Sequence, residues 1–251
     1  MTGVLADPVD ETRRVLKGAE AAGVVLRAIG GIAIALRAPS IRLFGAIRTY
    51  HDIDLVGTMP RASIETVLVD LGYEPARRFN ALNGADRLLF HDSSGRRVDV
   101  FLGQLRMCHD LRFAERLTID RWTLSLADLL LSKLQIVELT DRDALDVAVL
   151  LADHEVTEDD AGIGLTRIRA VCATDWGWWR TVDENLGALI ARWPGDALRG
   201  PSAAETTFGT AVARATALRQ RLALEPKSVG WRIRAALGDR IRWYAEPEEI
   251  R

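Results

Sequence analysis

Cysteine is almost absent from this chain. Cys108 and Cys172 are the two cysteines in 251 residues, and no Cys-x-x-Cys or zinc-knuckle spacing occurs. A disulfide framework or a cysteine metal site is therefore not expected, and the pair reads as structural thiols in a reducing compartment. An excess of charge of one sign is also missing. Lys and Arg total 33 against 35 Asp and Glu, a net charge of −2, which excludes a uniformly basic nucleic-acid coat but leaves room for a local patch. No segment approaches the roughly 18 uncharged apolar residues of a membrane span; the longest candidate, Ala28 to Leu36, is bounded by Arg27 and Arg37. The opening MTGVLADPVDETRR has no basic cap before an apolar stretch, so it does not read as a signal peptide. The expectation is a soluble cytoplasmic protein. What is present is ordinary globular composition, 48% apolar and 27% charged, at a length that suits one large domain or two small ones.

Residues 9 to 22 carry Val15, Leu16 and Ala19 at helical spacing behind acidic residues, with Gly23 as a stop. Residues 24 to 29 read as a buried strand, Gly30-Gly31 as a turn, and Ile32 to Leu36 as the start of a helix. Residues 38 to 50 read as a loop, and 52 to 56 alternate as a half-buried strand does. Pro60 suits the first position of a helix to about Leu71. Residues 87 to 91 and 96 to 102 read as a hairpin around Asp92-Ser93-Ser94-Gly95. From Ser125 the pattern turns helical: a stripe from Leu126 to Val137, another over Asp141 to Ala152, then 158–170, 178–192, 204–224 and 228–237, with a late loop at Pro194-Gly195 and Gly200-Pro201. The expected class is α/β (α+β): a mixed sheet flanked by helices over residues 1–120, with acids at one edge, and a mostly α-helical part over 121–251 packed beside it. Charge is uneven. Residues 138–160 hold nine acids against one Arg and 211–244 hold eight bases against two acids; both read first as solvated helix faces.

The chemistry-bearing residues are acids. Asp52 and Asp54 are two apart on a strand, so both carboxylates leave the same face while Ile53 and Leu55 point to the core. Asp99 sits between Val98 and Val100 on another expected strand. If the strands are neighbours, three carboxylates converge and repel unless a divalent cation lies between them. Hard oxygen donors suit Mg²⁺ or Mn²⁺, and two such ions can clamp the attacking and leaving oxygens of a phosphoryl transfer. Gly30-Gly31 lets the backbone approach a ligand and aims N–H groups at an anion such as a triphosphate. Arg48 lies just before the Asp pair and suits phosphate charge.

Gly30-Gly31, then Arg48-Thr49-Tyr50-His51-Asp52-Ile53-Asp54-Leu55, then Val98-Asp99-Val100 resembles the nucleotidyltransferase superfamily with the DNA polymerase β-type catalytic core, and looks closest to its minimal and AbiEii-like members. Ser125 to Leu134 looks like the AbiEii-type helix with a functional lysine, here Lys133, and Arg142-Asp143-x-x-Asp146 like the motif that follows it. The resemblance covers roughly residues 24 to 155. It implies an enzyme that moves a nucleoside monophosphate from an NTP to an acceptor hydroxyl and releases pyrophosphate. Asp52 and Asp54 would bind both metal ions. Asp99 would ligate the ion nearer the acceptor and help deprotonate its hydroxyl. Gly30, Gly31, Arg48, Thr49 and Lys133 would hold the nucleotide, with Asp143 orienting Lys133 or the acceptor. The acceptor would be an RNA end, as in toxins paired with an antitoxin protein, or a small hydroxylated molecule such as an aminoglycoside. Ile32 and Ala33 depart from the usual serine after the glycines, which leaves phosphate contact to backbone N–H or to residues elsewhere.

Plainer alternatives stand beside this. Asp52, Asp54 and Asp99 could be surface acids on edge strands. Lys133 could be a solvated helix lysine, and Asp143 and Asp146 surface acids. The fold could serve as a non-catalytic nucleotide-binding or interaction module. Trp176, Trp178, Trp179 and Trp193 suit core packing better than base stacking. His91, His109 and His154 have no metal-ligand spacing.

Overall fold

The computed structural model describes residues 3–45, 49–58, 60–193 and 202–246. The chain divides into two compact units. The first is Met1–Arg37, Arg48–Leu105 and Leu111–Ser125; the second is Ala38–Ile47, Arg106–Asp110 and Leu126–Arg251. The class is mixed α/β of the α+β kind, as the sequence pattern implies.

The first unit opens with α1 (Pro8–Ala21), started by Asp7, whose side chain accepts from the amides of Val9 and Asp10, and by Pro8 in the first turn. It then runs β1 (Leu26–Ile29), α2 (Gly30–Arg37), β2 (Ile53–Gly57), α3 (Arg61–Asp70), β3 (Glu74–Pro75), α4 (Arg77–Asn83), β4 (Arg87–His91) and β5 (Arg97–Leu102), followed by the short pair β6 (Gln104–Arg106) and β7 (Asp110–Arg112). The sheet order is β1-β2-β5-β4-β3. Within this sheet β2 and β5 pair in parallel and the other neighbours are antiparallel. The hairpin lies where the turn residues place it: Asp92 Oδ1 accepts from the amides of Ser94 and Arg96, and Gly95 takes φ +83°. Ile53, Leu55, Val56, Val98 and Val100 are fully buried, which makes β2 and β5 interior strands. The acids therefore do not sit on an edge strand.

The second unit contains α5 (Leu126–Leu134), α6 (Asp141–Asp153), the short pair β8 (Val156–Thr157) and β9 (Ile163–Gly164), α7 (Leu165–Cys172), α8 (Trp176–Arg192), α9 (Ala203–Leu224) and α10 (Val229–Leu237). In α5 every residue except Lys133 is buried, so it is the central helix of this unit. Asn185 donates to the carbonyls of Leu134 and Ile136 and satisfies its C-terminal end. No described helix is long and apolar enough to cross a membrane.

Four expectations change. The first unit extends to Ser125, because the amide of Ala28 donates to Trp122 O and that of Leu124 to Ala28 O, tying residues 122–124 to β1. Residues 38–50 are not all loop: Pro39–Phe44 is a 3-10 helix of the second unit, held where Ser40 bonds Asp153 and Phe44 meets Phe208 with ring centroids 5.1 Å apart. The helix expected over 158–170 begins only at Leu165. The amide of Gly162 donates to Thr157 Oγ1, and a side chain at Gly162 would collide with Glu155 O, so a tight turn precedes it. The unanticipated α4 exists because Asn80, buried beside β4, exchanges hydrogen bonds with the backbone of Leu89 in both directions, as a strand neighbour would. Pro194-Gly195 and Gly200-Pro201 lie outside the described residues.

Candidate functional site

The site is built on the row where β1, β2, β5 and β4 lie side by side: Ile29 pairs with Asp54, Asp54 with Asp99, and Asp99 with Leu89. Asp54 and Asp99 are in register on adjacent parallel strands, so their carboxylates leave the same face about 4.8 Å apart at the backbone. Asp52 stands just before β2 and is exposed, Asp54 is half-buried, and Asp99 is fully buried. The chain turns from β1 into α2 at Gly30, whose φ is +72°. A Cβ there would lie 2.7 Å from Asp54 Oδ2. The backbone conformation calls for glycine, and a side chain there would also push the Asp54 carboxylate aside. Gly31 follows in the first turn of α2, where amides have no intrahelical acceptor.

Asp99 does not stand alone. Arg87 contacts its Oδ1 through both Nε and Nη2 at 2.8 Å. Arg97 contacts Oδ2 at 3.1 Å through Nε and 3.0 Å through Nη2. The same Arg97 Nη2 lies 4.0 Å from Asp52 Oδ2, so one guanidinium spans two of the three acids. Arg87 also lies over the Phe101 ring, 4.8 Å from its centroid. Sequence reasoning missed both arginines. Arg97 was findable, two residues before Asp99 on one strand and therefore on its face. Arg87 required the register, because it pairs with Phe101 and reaches Asp99 diagonally.

Among the described residues, no three His, Cys, Asp or Glu side chains close into a metal cage. Asp54 and Asp99 share a face and offer the hard oxygens a divalent cation takes, but both oxygens of Asp99 already face guanidiniums. Thr49 is exposed and its Oγ1 lies 3.3 Å from His51 Nε2. Arg48 lies outside the described residues.

Lys133 and Asp143 belong to the second unit. Lys133 is not a solvated lysine. Its Nζ lies 2.8 Å from Asp143 Oδ1 and 2.9 Å from Asp146 Oδ2, with 12% of the side chain exposed. Burial disfavours its charge, but Asp146 and Asp143 outweigh burial and raise its pKa above the ordinary lysine value. Burial likewise opposes the Asp143 charge, and Lys133 and Thr140 overcome it, lowering that pKa. Asp146, for which a surface position was the plainer alternative, is fully buried. The acidic stretch is thus partly interior, since α6 turns one acid toward α5. The tryptophans pack as expected: Trp176 and Trp178 are buried, Trp193 stacks on Phe208 at 4.3 Å, and Trp179 meets Trp231 edge-on at 5.3 Å. Both cysteines are buried free thiols.

His109 is a core residue of the second unit. It stacks on Trp178 and shares a 2.9 Å hydrogen bond with Thr181 Oγ1, which accepts from Trp243 Nε1. Burial pushes its pKa down to about 4, against an opposing pull from Asp175 and Asp110. Between pH 6.5 and 4 the unfolded chain takes up a proton that the folded chain refuses, so stability falls on acidification by about 3 kcal/mol from this group alone. Urea unfolding from pH 7 to 4 should show that loss, and His109→Gln should flatten it; an unchanged slope would assign the loss to other groups.

No family model matches this chain, and no curated protein matches it.

Proposed function

We propose that the chain is a nucleotidyltransferase, with a polymerase β-type core in its first unit, that moves a nucleoside monophosphate from an NTP to an acceptor hydroxyl. The observation that carries this reading is the juxtaposition of Gly30, Asp54 and Asp99: a positive-φ glycine that opens a helix, set against the first of two in-register carboxylates on interior strands. Gly30 and Gly31 bring backbone amides to the triphosphate, with Arg48 and Thr49 as the side chains assigned to it. Asp52, Asp54 and Asp99 would hold Mg²⁺ or Mn²⁺. Bound ions supply charge neutralisation and a more acidic acceptor hydroxyl. Arg87 fixes the orientation of Asp99 through Oδ1. The acceptor oxygen bonds to the α-phosphorus, the bond from that phosphorus to the bridging oxygen breaks, pyrophosphate leaves, and the acceptor proton passes to water, its departure favoured by the nearby carboxylates. Positioning and electrostatics carry most of the catalysis in such transfers.

The acceptor class divides the reading between an RNA end, in a toxin with an antitoxin partner, and a small molecule of the aminoglycoside type. Incubation with Mg²⁺, α-labelled NTPs and total RNA is expected to yield labelled RNA; label on an aminoglycoside panel alone would move the acceptor to small molecules. One observation favours a second reading, a non-catalytic nucleotide-binding module: both oxygens of Asp99 are already engaged by arginines. Absence of pyrophosphate with every acceptor would sink the transferase reading; an NTP-dependent rise in Tm would then support the binding module, and no rise would leave an interaction module that takes no nucleotide.

A further inference from the structure

We propose that the second unit carries a cleft for single-stranded nucleic acid, in which aromatic rings receive a base and two guanidiniums receive its phosphate. The inference does not depend on the transferase reading, and it uses none of the residues of the Asp54–Asp99 row.

The cleft measures about 530 Å³ and is lined by the start of α8, by α10 and by the segment that follows α10. That volume falls within the ~300–1,000 Å³ of small-ligand sites. Trp231, Trp243 and Tyr244 line it and are half-buried, unlike the core residues Trp176 and Trp178. The last segment is fixed in place. The amide of Ala245 donates to Cys108 O at 2.9 Å, and Trp243 Nε1 donates to Thr181 Oγ1 at 3.0 Å. The rings therefore stand ready, and little ordering entropy is lost when a ligand binds.

Arg234 lines the same cleft and is held by uncharged groups. Its Nη1 donates to Gly238 O at 2.9 Å, its Nη2 to Ile241 O at 2.6 Å, and the guanidinium lies 4.6 Å from the Trp176 ring centroid. Among the described residues no carboxylate pairs with it, so its charge is positioned but not neutralised. Arg242 lies 5.4 Å from the Tyr244 ring centroid and pairs with Glu246 at the exposed surface, where an ion pair holds little free energy. The one carboxylate in the lining, Asp175, already caps α8 by accepting from the Trp178 amide. Two guanidiniums keep a cation out of an aromatic site and favour a flat ring that carries negative charge. A nucleotide of a single strand supplies both in one unit: its base has a face to stack, and its phosphate matches a guanidinium fork. In a duplex the base faces cover one another, so the cleft selects unpaired strands. Both arginines belong to the stretch 211–244, whose eight bases against two acids suit a chain of phosphates.

The test is fluorescence anisotropy of a labelled oligoadenylate RNA of about ten nucleotides, within the usual span of single-strand sites. The full chain is used with a chelator present and no NTP, so failure here leaves the transferase reading untouched. Wild type should bind the single strand at low salt and the duplex of the same length at least about tenfold more weakly. Tyr244→Ala should weaken binding at least about fivefold, and Tyr244→Phe, which keeps the ring, should stay within about twofold of wild type. Arg242→Gln removes an exposed charge and should lower the slope of log affinity against log salt by about 0.7, one phosphate contact; it remains the reporter if Tyr244→Ala does not fold. No binding by wild type, or wild-type affinity in Tyr244→Ala together with an unchanged salt slope in Arg242→Gln, would overturn the proposal. Competition by AMP as effective as by the unlabelled strand would overturn the strand in favour of a free nucleotide. Equal competition by a Glu-Tyr copolymer would overturn nucleic acid in favour of an acidic peptide.

Discussion

Asp54→Asn is expected to lower nucleotide transfer at least a thousandfold, about 4 kcal/mol of transition-state stabilisation, while Tm stays within a few degrees of wild type. The substitution keeps shape and removes charge. Asp54 is half-buried, lies against the Gly30 turn and is the in-register neighbour of Asp99. An asparagine amide still fills that space, so the β1–β2–β5 row should persist. Asp99 offers no comparable test. Asp99→Asn would leave Arg87 and Arg97 facing a neutral amide in the interior, and breaking a buried pair from one side costs about 3–5 kcal/mol. Lost activity in that variant would report on folding as much as on chemistry. The measurement is pyrophosphate release under single-turnover conditions, with thermal unfolding of the same sample. Activity within tenfold of wild type in a folded Asp54→Asn protein would remove these acids from the reaction.

The candidate site was legible in the sequence as far as local pattern reaches. Alternation around Ile53 and Leu55 set the face of Asp52 and Asp54, and the Gly30-Gly31 pair between apolar runs set the turn, because both signals act over a few residues. The partners of Asp99 were not legible to the same degree. Arg87 reaches it only through the antiparallel register of β4 and β5, a tertiary fact. The 3-10 helix Pro39–Phe44 was hidden for a similar reason: Ser40 is held by Asp153, more than a hundred residues away. α4 was invisible because its buried face rests on one asparagine rather than on an apolar stripe. Composition also misled. The acid-rich stretch 138–160 suggested a solvated face, but helical periodicity turns Asp146 inward, where Lys133 meets it.

Lys133→Ala is expected to destabilise the protein by about 3–5 kcal/mol, or on the order of 10 °C in Tm for a chain of this size, before any effect on nucleotide is considered. The resemblance gives Lys133 to the triphosphate, but its ammonium already bonds Asp143 and the fully buried Asp146. Truncation takes the ammonium away from both carboxylates, one of them fully buried. Two features separate this loss from simple loss of packing. Adding Asp146→Leu to Lys133→Met should recover most of the stability, since an apolar pair of similar volume replaces a buried ion pair at little cost. The deficit should also depend on pH. Asp143 has its pKa lowered and Lys133 raised. The Asp143 contribution is therefore complete above its unfolded pKa near 4 and lost as pH falls through the folded value. That of Lys133 is complete below its unfolded pKa near 10.4 and lost as pH rises through the folded one. The gap between Lys133→Ala and wild type should be widest between those limits and close on either side. Urea unfolding at several pH values measures it, and a gap that does not change with pH would show that the stem of Lys133, not its charge, holds α5 against α6.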